Sequence, residues 1–282
     1  MPLNSTATKP YCGLTRLFLR EEIGASLFRI ELDVPHDLSS ARPGQFALLR
    51  VREGIDPLLG RPMAFHYVRK VRRTWRASFI VNVVGRGTRF LVENSLGAEI
   101  GFLGPLGQPF SSPRTSRDVN VLVGGGVGIP PLHFLARQLP ASRKTYRQRW
   151  YAVLGAATRE KLACVNEIAA CGVTVIPCTD DGSRGCRTFV TTPLEDLLRS
   201  ERGVGRSVYI YACGPEPMLR KVSELAAEHG AEGEISLERR LACGVGVCRA
   251  CVCKIASEGE GERNALLCRE GPVFPLGQVL FR

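Results

Sequence analysis

Four thiols set the terms for this chain. Within LACGVGVCRACVCK, Cys243, Cys248 and Cys251 form a Cys-x4-Cys-x2-Cys run, and Cys268 follows later. That is the ligand spacing of a plant-type 2Fe–2S site. Two sulfide-bridged irons need four converging thiolates. A short loop containing Gly244 and Gly246 supplies three of them while its N–H groups turn toward the sulfurs, and the fourth arrives from a later strand or loop. A zinc ribbon would use two Cys-x2-Cys pairs, and only Cys248/Cys251 makes one. A disulfide knot fits poorly with small residues at such spacing in a chain whose first residues, MPLNSTATKPYCG, carry no apolar signal segment. Cys253 is expected to turn to the other face of a strand from Cys251 and to stay off the cluster. The chemistry so implied is one-electron transfer.

Other motifs suit the binding of dinucleotides. LVGGGVGIPPL places Gly124, Gly125, Gly126 and Gly128 where a strand meets a helix starting near Pro130. Glycines there let the backbone approach a diphosphate, and the helix start offers free N–H groups. The spacing is not G-x-G-x-x-G, and tight strand–helix packing also selects glycine. YACGPEPML puts Cys213, Gly214 and Pro215 at the carboxyl edge of a sheet, where open α/β folds bind ligands. Cys213 there either faces a nicotinamide ring or is an ordinary buried thiol. In TDDGSRG, Asp180 or Asp181 could hold an adenosine ribose diol and repel a 2′-phosphate, favouring NAD over NADP. Arg184 would pull the other way, and Asp-Gly is also a plain turn. Nearer the start, GRPMAF carries Arg61 and Pro62, and VGRGTRFL carries Gly85, Gly87 and Thr88 before a helix. An arginine beside a helix N-terminus makes a diphosphate grip.

These residues need a scaffold, and the hydrophobic pattern describes one. From 11 to 110, the runs LFRIELDV, QFALLRV, MAFHYVRKV and RASFIVNVV are apolar-rich, β-branched or alternating, with turn residues between them. Strands at that density suggest a small antiparallel barrel. From Val119 strands alternate with helices: VNVLVGGGVG, PPLHFLARQL, RWYAVLGA, REKLACVNEIAACG as one helix, VTVIPC, TPLEDLLRS, SVYIYACG and EPMLRKVSELAAEHG. Alternation of that kind means a parallel sheet with crossover helices. The expected fold class is therefore multidomain β and α/β: a barrel over 1–112, an α/β unit over 113–232 and a small cluster domain over 233–282.

Composition excludes several partners. The 282 residues are 44% hydrophobic, enough for two or three cored domains, and no apolar run is long and unbroken enough to span a membrane. The net charge of +11 could suit nucleic acid. Yet its clusters, Arg69 to Arg76 and Arg137 to Arg149, hold one aromatic each, Trp75 and Tyr146, and not the interleaved series of a single-strand groove. They read as a solvated hairpin tip and helix end. Of eleven cysteines, Cys164, Cys171, Cys178 and Cys186 are irregularly spaced and read as buried small residues rather than ligands. His36, His66, His133 and His229 are scattered and read as structural or surface residues; none is assigned a catalytic role. The cluster argues for a reducing compartment, hence the cytoplasm.

Taken in order, these pieces resemble the ferredoxin-reductase superfamily: R-P-x-x and G-x-G-T in a barrel, L-G-P-L-G over 103–107, G-G-G-x-G-x-P-P, C-G-P-x-P-M, then the cysteine-rich tail. The chain is more closely similar to the electron-transfer subunits of NAD-dependent, class 1B dihydroorotate dehydrogenases, and SLERRLACGVGVCRACVCK is the most specific stretch. The resemblance implies FAD held at Arg61, Pro62, Met63 and Ala64, with contacts from Ile80, Val81 and Asn82 and from Gly87 and Thr88. It implies NAD in the α/β unit and the cluster on the four cysteines. It further implies a catalytic partner subunit that carries FMN and oxidises dihydroorotate in pyrimidine biosynthesis, in a complex of two plus two chains. Electrons would pass from FMN through the cluster to FAD and on to NAD. One departure is Ala64, where the family usually has a hydroxyl that bonds the flavin N5; its loss removes about 1 kcal/mol of hydrogen bonding. The layout is shared with reductase subunits of sulfite reductase, hydrogenase and ferredoxin-dependent transhydrogenase type, and a non-catalytic redox sensor is the reading from another class.

Overall fold

The computed structural model describes residues 10–51, 58–113, 117–139, 148–257, 259 and 261–281. The basic stretch expected between Arg137 and Arg149 lies outside these residues over 140–147.

The first half forms one seven-stranded antiparallel sheet from β1 (Tyr11–Gly24), β2 (Leu27–Val34), β3 (Phe46–Val51), β4 (Arg61–Ala64), β5 (Tyr67–Val71), β6 (Thr74–Asn82) and β7 (Glu99–Leu106). Its strand order is β4-β3-β7-β1-β2-β6-β5. The outermost strands, β4 and β5, are joined by Phe65 and His66 alone, so the sheet must curl until its two edges meet. That is the barrel. MAFHYVRKV, expected as a single strand, is thus two strands that meet at this seam. Phe65 donates its N–H to Gln45 and His66 donates to Ser78, which ties the seam to both neighbours. Alternating side chains (Ile30, Leu32, Phe79, Val81) fill the interior. Helix α1 (Arg86–Glu93) adds Leu91 and Val92 to this core.

The basic cluster at the β5–β6 hairpin is only partly solvated. Arg69 pairs with the buried Glu31 at 2.9 Å and Arg76 with Asp33 at 3.0 Å, both acids on β2.

The second half is a six-stranded sheet ordered β10-β9-β8-β11-β12-β15. Strands β8 (Val119–Gly125), β9 (Arg149–Ala156), β10 (Thr174–Thr179), β11 (Val208–Cys213) and β12 (Glu232–Ser236) run parallel. β8 and β11 are buried along their whole length, which explains their unbroken apolar sequence. The crossovers carry α2 (Ile129–Ala136), α3 (Val165–Ala170), α4 (Thr191–Gly203) and α5 (Glu216–His229). The helix expected across REKLACVNEIAACG is shorter: a 3-10 turn at Arg159–Lys161 precedes α3, and Cys164 between them has φ +61°. A left-handed residue cannot continue a right-handed helix.

The tail is stitched into this sheet. β12 runs across the expected boundary at 232/233 as a strand of the parallel sheet, and β15 (Val273–Pro275) returns from the cysteine-rich segment to pair antiparallel with it. Between them β13 (Val252–Ser257) and β14 (Gly261–Leu266) form a hairpin. Cores are shared across units: Phe134 of α2 packs in the barrel interior, and Leu48 and Leu106 pack with Cys251 and Cys268. No helix among the described residues is long and apolar enough to cross a membrane.

Candidate cofactor cavities and iron–sulfur centre

Two adjoining cavities and one cysteine loop lie in series. The larger cavity, about 800 Å³, opens between the barrel and the tail. Arg61, Pro62, Met63, Ala64, Ile80, Asn82, Thr88 and Cys213 line it, as do Leu237, Glu238, Arg239, Arg240, Leu241 and Leu267. Gly87 is beside it for a spatial reason. A Cβ there would lie 1.9–2.1 Å from the Arg61 guanidinium, so a larger residue would push that flexible side chain off the first turn of α1. An arginine laid against the positive end of a helix is electrostatically unfavourable unless an anion joins them. The pair, with Arg240 on the same cavity, fits a diphosphate, while Arg239 there is paired with Glu216 at 2.8 Å.

Not every expected contact reaches this cavity. Val81 alternates away from Ile80 and Asn82 into the barrel core, where it is 1% exposed. Ala64 does line it, without a hydroxyl to offer. The residues 237–241 were not legible as cavity walls from sequence, although the charged pair Arg239–Arg240 just ahead of the cysteine run was a signal.

The second cavity, about 510 Å³, lies over the carboxyl edge of the parallel sheet. Gly125, Gly126, Asp180 and Pro215 line it with Gly155, Lys161, Met218 and Lys221. Asn82 and Val127 line both cavities, so the two meet there. The Cys213-Gly214-Pro215 turn is part of the partition: Cys213 faces the larger cavity and Pro215 the smaller. Gly128 is required for packing, since a Cβ would sit 2.2 Å from the Cys213 carbonyl oxygen. Gly124 likewise packs against Ile129, Leu132 and Leu154, away from the cavity.

The two acids divide their tasks. Asp181 closes its own turn, accepting bonds from Ser183 N at 2.9 Å and Ser183 Oγ at 2.6 Å, and these bonds hold its carboxyl below the usual range. Asp180 faces the cavity. Arg184 is turned to Asn166, which accepts from its guanidinium at 3.1 Å. Lys161 and Lys221 are cations on this cavity that spacing alone did not reveal. Burial pushes the Cys213 thiol well up, so it faces the larger cavity as a neutral group.

The cysteine loop lies on the barrel side. Gly244 and Gly246 have φ +72° and +89°, and a Cβ on Gly244 would strike Leu48. Cys248 donates its N–H to Cys243 Sγ at 3.4 Å, and the Cys251 and Cys268 sulfurs are 3.4 Å apart. Four thiols around a loop of inward N–H groups fit a dinuclear cluster, which they would hold through their sulfurs. The N–H groups of Cys248, Val245 and Val247 bring the Cys243 thiol down to about 6, whereas burial, then Cys251, pushes Cys268 up to about 12. Cys253 keeps to the core, its thiol bonded to the Ala265 carbonyl at 3.7 Å. Strand alternation is not the cause, because Cys251 precedes β13 and residues two apart on a strand share a face.

One outcome follows for the cluster-free protein. With a pKa of about 6, Cys243 is mainly thiolate at neutral pH, while buried Cys268 remains a thiol. Iodoacetamide followed by peptide mass mapping is expected to label Cys243 ahead of Cys268, at a rate that falls as pH drops through about 6. Equal labelling of the two would show that the loop N–H groups do not act on Cys243.

A curled antiparallel sheet followed by a parallel sheet, with cavities at their junction, is the ferredoxin-reductase fold. A solved structure of an NADH-dependent reduced ferredoxin-NADP oxidoreductase superposes with a TM-score of 0.77 at 28% identity, over 95% of this chain and 90% of that one. The ferredoxin reductase of carbazole 1,9a-dioxygenase shares the fold with a TM-score of 0.64 at 22% identity, over 80% and 68%. Residues 238–280 match the family described as the iron-sulfur cluster binding domain of dihydroorotate dehydrogenase B. The electron transfer subunit of dihydroorotate dehydrogenase B (NAD(+)) from Desulforamulus reducens is 34% identical over 92% of this chain and 94% of its own length. Its counterpart from Geobacillus thermodenitrificans is 39% identical over 84% and 86%. The chain belongs to the family of dihydroorotate dehydrogenase B electron transfer subunits.

Proposed function

We propose that this chain is the NAD-linked electron-transfer subunit of a dihydroorotate dehydrogenase, with FAD in the larger cavity, NAD in the smaller one and a 2Fe–2S cluster on Cys243, Cys248, Cys251 and Cys268. The observation that carries this is the serial arrangement. The two cavities meet at Asn82 and Val127, and the larger is walled by Leu241 and Leu267, close in sequence to Cys243 and Cys268. Bound FAD and cluster supply the exchange between a two-electron hydride and single electrons. The chain's own residues bind and position. Arg61, with Gly87 and Thr88 of α1, grips a diphosphate; Met63, Ala64, Ile80 and Asn82 form the wall for a flavin ring. Gly125, Gly126 and the Cys213–Pro215 turn bring backbone close to nicotinamide. No general acid or base is needed, and the neutral Cys213 thiol keeps an anion away from the cavity wall it lines.

The partner is proposed to be an FMN-containing catalytic subunit that oxidises dihydroorotate, in a two-plus-two complex. Around the cluster loop, Val247 is 81% exposed and Cys248 is also exposed, a surface an electron-donating partner could cover. A cluster held by free thiols fits a reducing, cytoplasmic setting.

Nicotinamide choice is read from Asp180, since a carboxylate beside a 2′-phosphate repels it in a partly dry site. Lys161 and Lys221 oppose that repulsion, so the preference is expected to be moderate. Dye reduction by the isolated chain should show a higher kcat/KM with NADH than with NADPH, and Asp180→Ala should narrow the gap. Preference for NADPH in the unmodified protein would refute the ribose role. A chain that holds its cofactors yet reduces no dye with either nucleotide would instead favour a sensing module.

A further inference from the structure

The seam of the barrel meets the parallel-sheet unit at three side chains that the electron path does not use. His66 closes the seam between β4 and β5, His133 lies on α2, and Cys164 precedes α3. They are 2%, 5% and 5% exposed, and one ligand atom from each lies within 4.8 Å of the others. We propose that His66, His133 and Cys164 bind a zinc ion that pins the barrel to the parallel-sheet unit.

The orientation of the rings favours this over plain packing. His66 Nδ1 is 3.1 Å from Ser78 Oγ, which leaves Nε2 directed at Cys164 Sγ, 3.5 Å away. A ligand imidazole is oriented in this way, with one nitrogen anchored and the other presented. The His133 ring is 4.5 Å from that of His66, and its Nδ1 is buried with no hydrogen-bond partner. An orphaned buried nitrogen costs free energy, which a metal bond would remove. Cys164 holds φ +61°, strained for a cysteine, as the N-cap residue of α3.

The donor chemistry selects the ion. Two imidazoles and a thiol suit zinc and exclude the oxygen-seeking calcium and magnesium. Burial lowers His66 to about 2 and His133 to about 4, so both rings are neutral, as ligands must be. Burial pushes the Cys164 thiol up, so zinc must displace its proton, which leaves to solvent as the zinc–sulfur bond forms. Arg29 and Arg137 act on His66 and oppose an added dication, and the thiolate offsets part of that charge.

The test uses the whole chain with flavin and cluster in place, equilibrated with zinc chloride and desalted. Elemental analysis should find about one zinc retained beside the cluster iron, and zinc-edge X-ray absorption should show one sulfur near 2.3 Å with two imidazole nitrogens near 2.0–2.1 Å. Cys164→Ser and His133→Gln should each reduce zinc to background with iron and flavin content unchanged. Retention of no zinc by the unmodified protein would overturn the proposal. So would a shell of four sulfurs, which would put zinc on the cluster thiols. The absorption measurement needs no variant and decides the matter even if Cys164→Ser does not fold.

Discussion

Cys243→Ser, Cys248→Ser, Cys251→Ser and Cys268→Ser are each expected to abolish the 2Fe–2S cluster. The unmodified chain should be brown and carry about two irons and two sulfides. Loss should be complete because a dinuclear cluster needs all four thiolates. Removing one leaves an iron with an incomplete set. Cys253→Ser is the control. Its thiol faces the Ala265 carbonyl, a hydroxyl can make the same bond, and the cluster should be retained. Iron and sulfide analysis of the five variants distinguishes the cases. A dispensable Cys268 together with an essential Cys253 would show that the ligand set is wrong.

The second large effect is on flavin retention. Arg61→Ala removes the guanidinium from the first turn of α1 and with it a charge-assisted contact of about 1.5–3 kcal/mol. FAD binding should weaken roughly ten- to hundredfold. Calorimetric titration of flavin-stripped protein measures this directly, and iron content should not change because Arg61 is not among the four thiols' contacts. The flavin released from the unmodified chain should be FAD, since Arg61 and the α1 start grip a diphosphate that FMN lacks. An extract containing FMN alone would remove the basis of this assignment.

Much of this architecture was legible because local pattern and tertiary role coincide. VNVLVGG is apolar throughout because β8 is central and covered on both faces, and EPMLRKVSELAAEH shows helical spacing because α5 packs one face on the sheet. The cysteine run was legible because three ligands lie within nine residues, 243–251, of one loop. Features set by long-range geometry were not. That MAFHYVRKV divides at a barrel seam depends on where β3 and β6 lie. That Asp180 faces a cavity while Asp181 is consumed by Ser183 depends on one turn's bonds. Arg239, Lys161 and Lys221 join the cavities only through folding, and His66 and Cys164 meet although 98 positions separate them.

The central claim is that electrons cross this chain between its cluster and its nicotinamide cavity. The most direct test is the complex purified with its FMN-containing catalytic subunit, supplied with dihydroorotate and NAD+ in the absence of oxygen. One NADH should form for each orotate. In a complex carrying Cys251→Ser, NADH formation should vanish while the catalytic subunit still passes electrons from dihydroorotate to an artificial dye. Undiminished NADH formation by a complex shown to lack cluster iron would contradict the account.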